Sequence, residues 1–286
     1  MTSSPKVGTS IPTLFLFLSM TLTASGQPLP DRLTAYLQQL PASARVSVAV
    51  ESLADSSVSF AHRADERVPS ASVIKLPILL EAMERVKAGT LDLDEIHILT
   101  DAEKVGGDGV LKTYSHRSRI AYRDLLRLMM VYSDNTATNI FINELGMDAI
   151  NARIRAVGLP RSQLNRVMMD TLAARQGRDN YVTCLEMNRL LKKIYHRQVA
   201  TPELCEQMLT LLKQNEDTLT IPRLLPPGTV VAHKTGTLSY VRADVGIVYA
   251  HQPFLLSIFV EGLPTAEAER TIAETARICF TYFARP

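Results

Sequence analysis

The sequence predicts a mixed α/β fold of the three-layer α+β kind. An antiparallel five-stranded sheet is built from both ends of the chain, helices flank it, and an all-helical lobe is inserted between the two sets of strands. Three observations lead there. Strand patterns occur only near the two ends, the long middle is periodic in the helical sense, and a helical pattern lies outside the strands at either terminus.

Asp31 opens the first of these helices, with Leu33, Tyr36, Leu37 and Leu40 on one face and Pro41 just beyond. Alternation follows: Val46, Val48 and Val50 point one way, and Ser47, Ala49 and Glu51 the other, as in a strand. Asp55-Ser56-Ser57 supplies a turn into a second strand through Val58 and Phe60. Over 72–88, Ile74, Leu76, Leu79, Leu80 and Met83 describe a helix that stops at Gly89, with Pro77 early in it as a candidate kink. Further helices are predicted over 122–132, 136–145 and 148–157, with Gly146 and Gly158 following two of them. Thr183 with Glu186 has capping-box spacing, and Thr201 followed by Pro202 places proline at a first helical position. After the breaker Pro226-Pro227-Gly228, strands are predicted over 229–235, 245–250 and 254–260, and Pro264 introduces a last helix towards Phe283.

Composition excludes several function classes. The chain has 286 residues, 46% of them hydrophobic and 21% charged, enough for one large globular domain or two interleaved halves. A net charge of +2 with dispersed basic residues argues against nucleic acid or an anionic membrane as partner. Residues 1–26 read as an export signal: Lys6, a nearly all-apolar or hydroxylated run over 11–22, then small Ala24, Ser25 and Gly26. That run is shorter than the ~20 residues a spanning helix needs. The mature chain is therefore expected to begin near Gln27 and to be secreted or periplasmic, without a stable membrane span. Cys184, Cys205 and Cys279 are odd in number, so no disulfide scaffold is expected; they read as buried small residues, with a Cys184–Cys205 pair left open. The histidines at 62, 97, 116, 196, 233 and 251 include no pair at ligand spacing on one helix turn, and no metal or cofactor is expected.

Three short patterns carry chemistry. In Ser72-Val73-Ile74-Lys75 the serine and lysine lie three apart and share a helix face if the helix starts at Ser72. A lysine made less basic by burial or neighbouring positive charge can take the serine's proton and create a nucleophile. A serine cap on an amphipathic helix would read the same way. Ser133-Asp134-Asn135 lies between two predicted helices, where Ser133 could relay a proton and Asn135 could bind a substrate amide; ordinary helix capping is the bland alternative. Lys234-Thr235-Gly236-Thr237 lies on a predicted strand. Its cation and hydroxyls suit a carboxylate, Gly236 permits close approach of another backbone or a ligand, and the Thr237 and Ser72 N–H groups could form an oxyanion hole. A polar turn between strands is the alternative there.

Together, in this order, the three patterns are the signature of class A β-lactamases and penicillin-binding proteins. The chain resembles that penicillin-recognising superfamily from about Asp31 to its C-terminus. The resemblance implies a single catalytic domain over 27–286, with a sheet lobe (27–65 and 222–286), a helical lobe (66–221) and the active site between them. It also implies Ser72 as the acylated nucleophile, Lys75 as its activator and Ser133 as proton relay. Asn135 would contact the substrate amide, Lys234 and Thr235 its carboxylate, and Thr237, beyond Gly236, would contribute the second oxyanion N–H. Arg242 is a further candidate for the carboxylate, at an offset from Lys234 that fits the family imperfectly; a solvated turn residue is the simpler reading.

The resemblance breaks at one place. Class A enzymes carry, two residues beyond an anchoring arginine, a glutamate that activates the deacylating water. Here the segment reads Leu164-Asn165-Arg166-Val167-Met168-Met169-Asp170. Arg166 fits the arginine, with Asp179 as its expected ion-pair partner, but Met168 stands where the glutamate would be. Asp170 is the nearest carboxylate, and a role in supporting the loop is the favoured reading. The expectation is thus a β-lactamase-like serine hydrolase with slow deacylation, its site occupied by a β-lactam or a peptidoglycan stem peptide, and the protein acting as a monomer. A D,D-peptidase acting on D-Ala-D-Ala ends and a β-lactam sensor that is acylated once are the alternatives.

Overall fold

The computed structural model describes residues 27–55 and 59–285. The export signal expected over 1–26 lies outside them, as do Ser56 and Ser57 of the expected turn and Val58 of the expected second strand. The chain begins with helix α1 (Leu29–Leu37), strands β1 (Arg45–Ser52), β2 (Ser59–His62) and β3 (Val68–Pro69), then helix α2 (Lys75–Lys87). Strands β4 (Ile96–Ile98) and β5 (Arg119–Ala121) precede helices α3 (Tyr122–Val131), α4 (Asn135–Leu145), α5 (Met147–Ala156) and α6 (Thr171–Arg175). Strand β6 (Tyr181–Val182) leads to α7 (Cys184–Tyr195) and α8 (Pro202–Lys213), and the chain ends with β7 (Val231–Leu238), β8 (Val241–Val248), β9 (Phe254–Glu261) and α9 (Thr265–Phe283).

The five-stranded sheet has the order β2-β1-β9-β8-β7 and is antiparallel throughout. The two ends of the chain meet where β1 pairs with β9, Val46 opposite Val260 and Val50 opposite Leu256. Side-chain alternation then divides the strands between two cores. Val46, Val48 and Val50 pack with Phe254, Leu256 and Ile258 against Leu29 and Leu33 of α1 and Ala268, Ile272 and Ala276 of α9. Ala49, Leu255 and Phe259 face the other way and join the core of α7 and the helical lobe. Each large apolar side chain buried this way contributes about 1.5–3 kcal/mol, so occupancy on both faces, rather than strand propensity, holds the layers together. Within the inner layer Asn188 of α7 donates to the Ala49 carbonyl at 3.2 Å and accepts from Ser257 Oγ at 2.7 Å, satisfying polar groups that a wholly apolar interface would strand.

Several boundaries differ from expectation. Helix α1 starts before Asp31, at Leu29, because a proline in the first turn gives up no intrahelical hydrogen bond. Residues 71–74 form a 3₁₀ turn and α2 proper starts at Lys75, so Ser72 is not the first residue of an α-helix. Pro77 falls in the first turn of α2, and the helix runs on to Lys87. The Thr183 hydroxyl does cap α7 by accepting from the Glu186 N–H, but the Glu186 carboxylate does not complete a capping box; it accepts from the Arg161 and Ser162 N–H groups instead. The short pairs β3–β6 and β4–β5, too brief to show periodicity, were not foreseen. All three cysteines are buried and free, which removes the Cys184–Cys205 pair. Among the described residues no helix is long and apolar enough to cross a membrane, and no cluster of His, Cys, Asp and Glu could hold a metal ion.

Candidate active site

Strand β7 is an edge strand, so one side of its backbone is free of sheet partners. Against that side lies the 71–74 turn carrying Ser72. A Cβ built on Gly236 would stand 3.0 Å from Ala71 Cβ, 3.2 Å from the Ser70 carbonyl oxygen and 3.3 Å from the Ser72 nitrogen. The glycine of the third pattern thus lets the strand approach the turn that carries Ser72, and the approaching backbone is the protein's. Ala71 is at φ 46° and Ser133 at φ 54°, a left-handed conformation that costs a non-glycine residue about 1–3 kcal/mol and is tolerated where packing enforces it.

The second pattern divides its labour. Asp134 is the cap of α4, accepting from the Ala137 N–H at 2.9 Å. Its other oxygen accepts from the Val110 and Leu111 N–H groups at 2.7 and 2.8 Å, tying the 105–111 loop to the site. Gly109, at φ 103°, is confined to glycine, since a Cβ there would fall 2.4 Å from Asp134 Cα. Capping therefore falls to Asp134, while Ser133 and Asn135 on either side of it both reach Lys75 Nζ.

These elements converge on Lys75, which is fully buried. Its Nζ donates to Ser72 Oγ at 3.0 Å, to the Ser133 carbonyl at 2.5 Å, to Ser133 Oγ at 3.0 Å and to Asn135 Oδ1 at 3.1 Å. Lys234 Nζ reaches the same Ser133 Oγ at 3.2 Å. Burial, and then the Lys234 cation, push the Lys75 ammonium well below its ordinary value. Burial lowers Lys234 too, to about 8, against the opposing attraction of Asp244. The two lysines and two serines form one connected set. The cleft above it, about 310 Å³, is lined by Ser72, Ser133, Lys234, Thr235, Gly236 and Thr237, with Asp108, Glu216 and Asp217 among its other residues.

Arg242 departs from expectation: it is not a solvated turn residue. It is buried on β8 opposite Thr237, donates to Thr237 Oγ1 at 2.9 Å, and is held by Asp217 at 2.6 Å and Glu269 at 3.1 Å. Sequence reasoning also missed Asp244, behind Lys234. Its carboxylate meets His233 Nδ1 at 2.9 Å and accepts from Thr220 Oγ1 at 2.7 Å and the Ile221 N–H at 3.1 Å. An aspartate in a β-branched run signals a buried polar anchor, but its partners lie in a distant turn.

The 164–170 loop is built around Arg166, whose Nε and Nη2 both lie 2.8 Å from Asp179 Oδ1. Met168 is pinned by Asn139, which accepts from its N–H at 2.7 Å and donates to its carbonyl at 3.1 Å. Asp170 caps α6, accepting from the Ala173 N–H at 2.9 Å. Its carboxylate is a loop support, as favoured from the sequence.

A model of the beta-lactamase enzyme family matches residues 28–283. Among curated proteins, the extended-spectrum beta-lactamase PER-1 of Pseudomonas aeruginosa is 29% identical over 241 residues, 76% of each chain. The crystal structure of a beta-lactamase from Sphaerobacter thermophilus superposes with TM-score 0.81 at 26% identity, over 90% of this chain and 98% of that one. A leucine-to-glutamate mutant of PBP-A, solved as an acyl-enzyme complex with penicillin G, superposes with TM-score 0.81 at 25% identity, over 89% of this chain and 96% of that one.

Proposed function

Because the chain belongs to the beta-lactamase enzyme family, we propose that it is a serine hydrolase that opens β-lactam rings through an acyl-enzyme on Ser72. The observation that carries this reading is the buried Lys75 amine 3.0 Å from Ser72 Oγ, depressed in basicity by burial and by Lys234. In its neutral form it takes the Ser72 proton as Oγ attacks the ring carbonyl. The Ser72 and Thr237 N–H groups receive the developing oxyanion. As the C–N bond breaks, Ser133, which already contacts both lysines, delivers a proton to the departing nitrogen and regains one from Lys75. Asn135 keeps an amide hydrogen for the acyl side chain, and Lys234 and Thr235 receive the substrate carboxylate. The sheet lobe 27–65 with 222–286 and the helical lobe 66–221 supply the two sides of this cleft in one catalytic domain, 27–286, which acts outside the cytoplasm, secreted or periplasmic, as a monomer.

Deacylation is the slow half of this reaction. Met168 cannot activate a water, and Asp170 is engaged as a helix cap. A general base is worth about 10²–10⁴ in such a step. The methionine favours a second reading, a D,D-peptidase on peptidoglycan D-Ala-D-Ala ends, for which a peptide amine instead of water accepts the acyl group; a sensor acylated once is the limiting case. Intact-mass analysis after mixing with benzylpenicillin tests the shared step, since an adduct on Ser72 is expected and its absence together with absence of ring opening overturns the assignment. Adduct lifetime then separates the readings: fast loss with ring-opened product marks an efficient β-lactamase, and a persistent adduct with release of D-alanine from a pentapeptide mimic marks the peptidase.

A further inference from the structure

One residue suited to a substrate carboxylate, Arg242, already holds one. Asp217, in the segment after α8, accepts from Arg242 Nη2 at 2.6 Å, and the Thr235 side chain beside it favours its charged form. Each Arg242 nitrogen has an acceptor within the protein, leaving one N–H on each Nη: Nη1 donates to Thr237 Oγ1 at 2.9 Å and Nε to Glu269 at 3.1 Å. Asp217 lines the same cleft as Ser72, Lys234, Thr235 and Thr237. Burial opposes its ionisation, but Arg242 and Thr235 hold its carboxyl below the ordinary value, so it is charged at neutral pH.

We propose that Asp217 is a built-in competitor for the substrate carboxylate and a specificity-determining residue of the cleft. A ligand carboxylate that reaches Thr235 and Arg242 has to displace Asp217 from beside them or share their donors next to a like charge, and either is costly. Lys234 is left as the one cation facing it from β7. Asp108 and Glu216, which line the same cleft without an ion pair among the described residues, add potential of the same sign. The cleft therefore discriminates against acylating compounds that depend on an anionic group at this end, and accepts neutral ones with less penalty.

This inference rests on acylation at Ser72, and the test keeps the two apart. The second-order rate of adduct formation is measured by quenched intact-mass analysis for the wild-type mature protein and for Asp217→Asn, with benzylpenicillin and its methyl ester. The asparagine retains an acceptor for the Leu219 N–H that Asp217 now binds. Asp217→Asn is expected to raise the benzylpenicillin rate about tenfold, the worth of one charge-assisted hydrogen bond, and to leave the ester rate unchanged. Asp217→Ser, which also removes the charge, is expected to shift the acid-to-ester ratio in the same direction and serves if the first variant misfolds. An unchanged ratio, or a lower benzylpenicillin rate, overturns the inference; the second result would make Asp217 a support that aims Arg242 at substrate. No adduct on wild-type protein with either compound overturns the Ser72 reading and this one together.

Discussion

Replacing Lys75 by methionine separates its chemical role from its structural one. The methionine side chain is close in length, so the core around α2 is retained while the amine is lost. Four contacts disappear: those to Ser72 Oγ, Ser133 O, Ser133 Oγ and Asn135 Oδ1. The hydroxyls can rotate towards one another, but the Ser133 carbonyl and Asn135 Oδ1 are left as acceptors without this donor, at about 1–3 kcal/mol each. Against this, removing a fully buried ammonium relieves a desolvation penalty of several kcal/mol, as when buried ionic groups are replaced by apolar ones. The terms oppose, and the expected net change is within about 2 kcal/mol, a shift in Tm of roughly 4–8 °C for a domain of this size. Activity has no such compensation. Loss of the proton acceptor is expected to slow adduct formation by about 10²–10⁴, the equivalent of about 2.7–5.5 kcal/mol in the barrier. Lys75→Arg, still charged at any working pH, is expected to be as slow. Quenched intact-mass kinetics and a thermal melt measure both quantities. A folded Lys75→Met protein that acylates within about threefold of wild type would remove Lys75 from the proton path.

Three further outcomes follow from the geometry. Met168→Glu, on a backbone anchored by Asn139, is expected to shorten the adduct lifetime by about 10²–10⁴, and an unchanged lifetime in a folded variant would mean that no water is placed for attack. Asp179→Asn leaves the buried Arg166 guanidinium without its counter-charge and is expected to cost about 3–5 kcal/mol in a denaturant melt; a loss under about 1 kcal/mol would mean that the loop re-pairs. The rate of acylation by anionic penicillins is expected to rise with pH as Lys75 loses its proton, and to fall as pH passes about 8, where Lys234 loses the charge that attracts the substrate carboxylate. The methyl ester is expected to lack the alkaline limb, and an identical pH profile for acid and ester would detach Lys234 from carboxylate binding.

Much of the fold was legible because its signals are local. The alternation of Val46, Val48 and Val50 and the proline before α9 depend on neighbours within a few positions, and the corresponding elements formed. Boundaries slipped where tertiary contacts overrode the pattern. The turn before α2 tightened into a 3₁₀ segment packed against β7, and Glu186 left its own helix start to bind the Arg161 and Ser162 N–H groups. Arg242 was misread because its partners Asp217 and Glu269 lie 25 and 27 residues away in sequence. A charged residue near a hairpin looks solvated until the segments packed over it are known.

The sequence by itself determined which side chains could react: Ser72 three residues before Lys75, the hydroxyl and amide of Ser133 and Asn135, the cation and hydroxyls from Lys234 to Thr237, and the methionine at 168. Those are matters of residue identity, and identity settles what a group is able to donate or accept. Only the tertiary structure decided which of them meet and how they are tuned. Burial of Lys75 within 3.0 Å of Ser72 Oγ makes its amine a weaker base, and the commitment of Asp170 to a helix cap occupies the carboxylate that the loop offers. The placement of Asp217 on Arg242 puts a second carboxylate where a substrate's would go. Basicity, charge and competition for donors depend on distances and on exclusion of water, and these arise when segments far apart in the chain pack together.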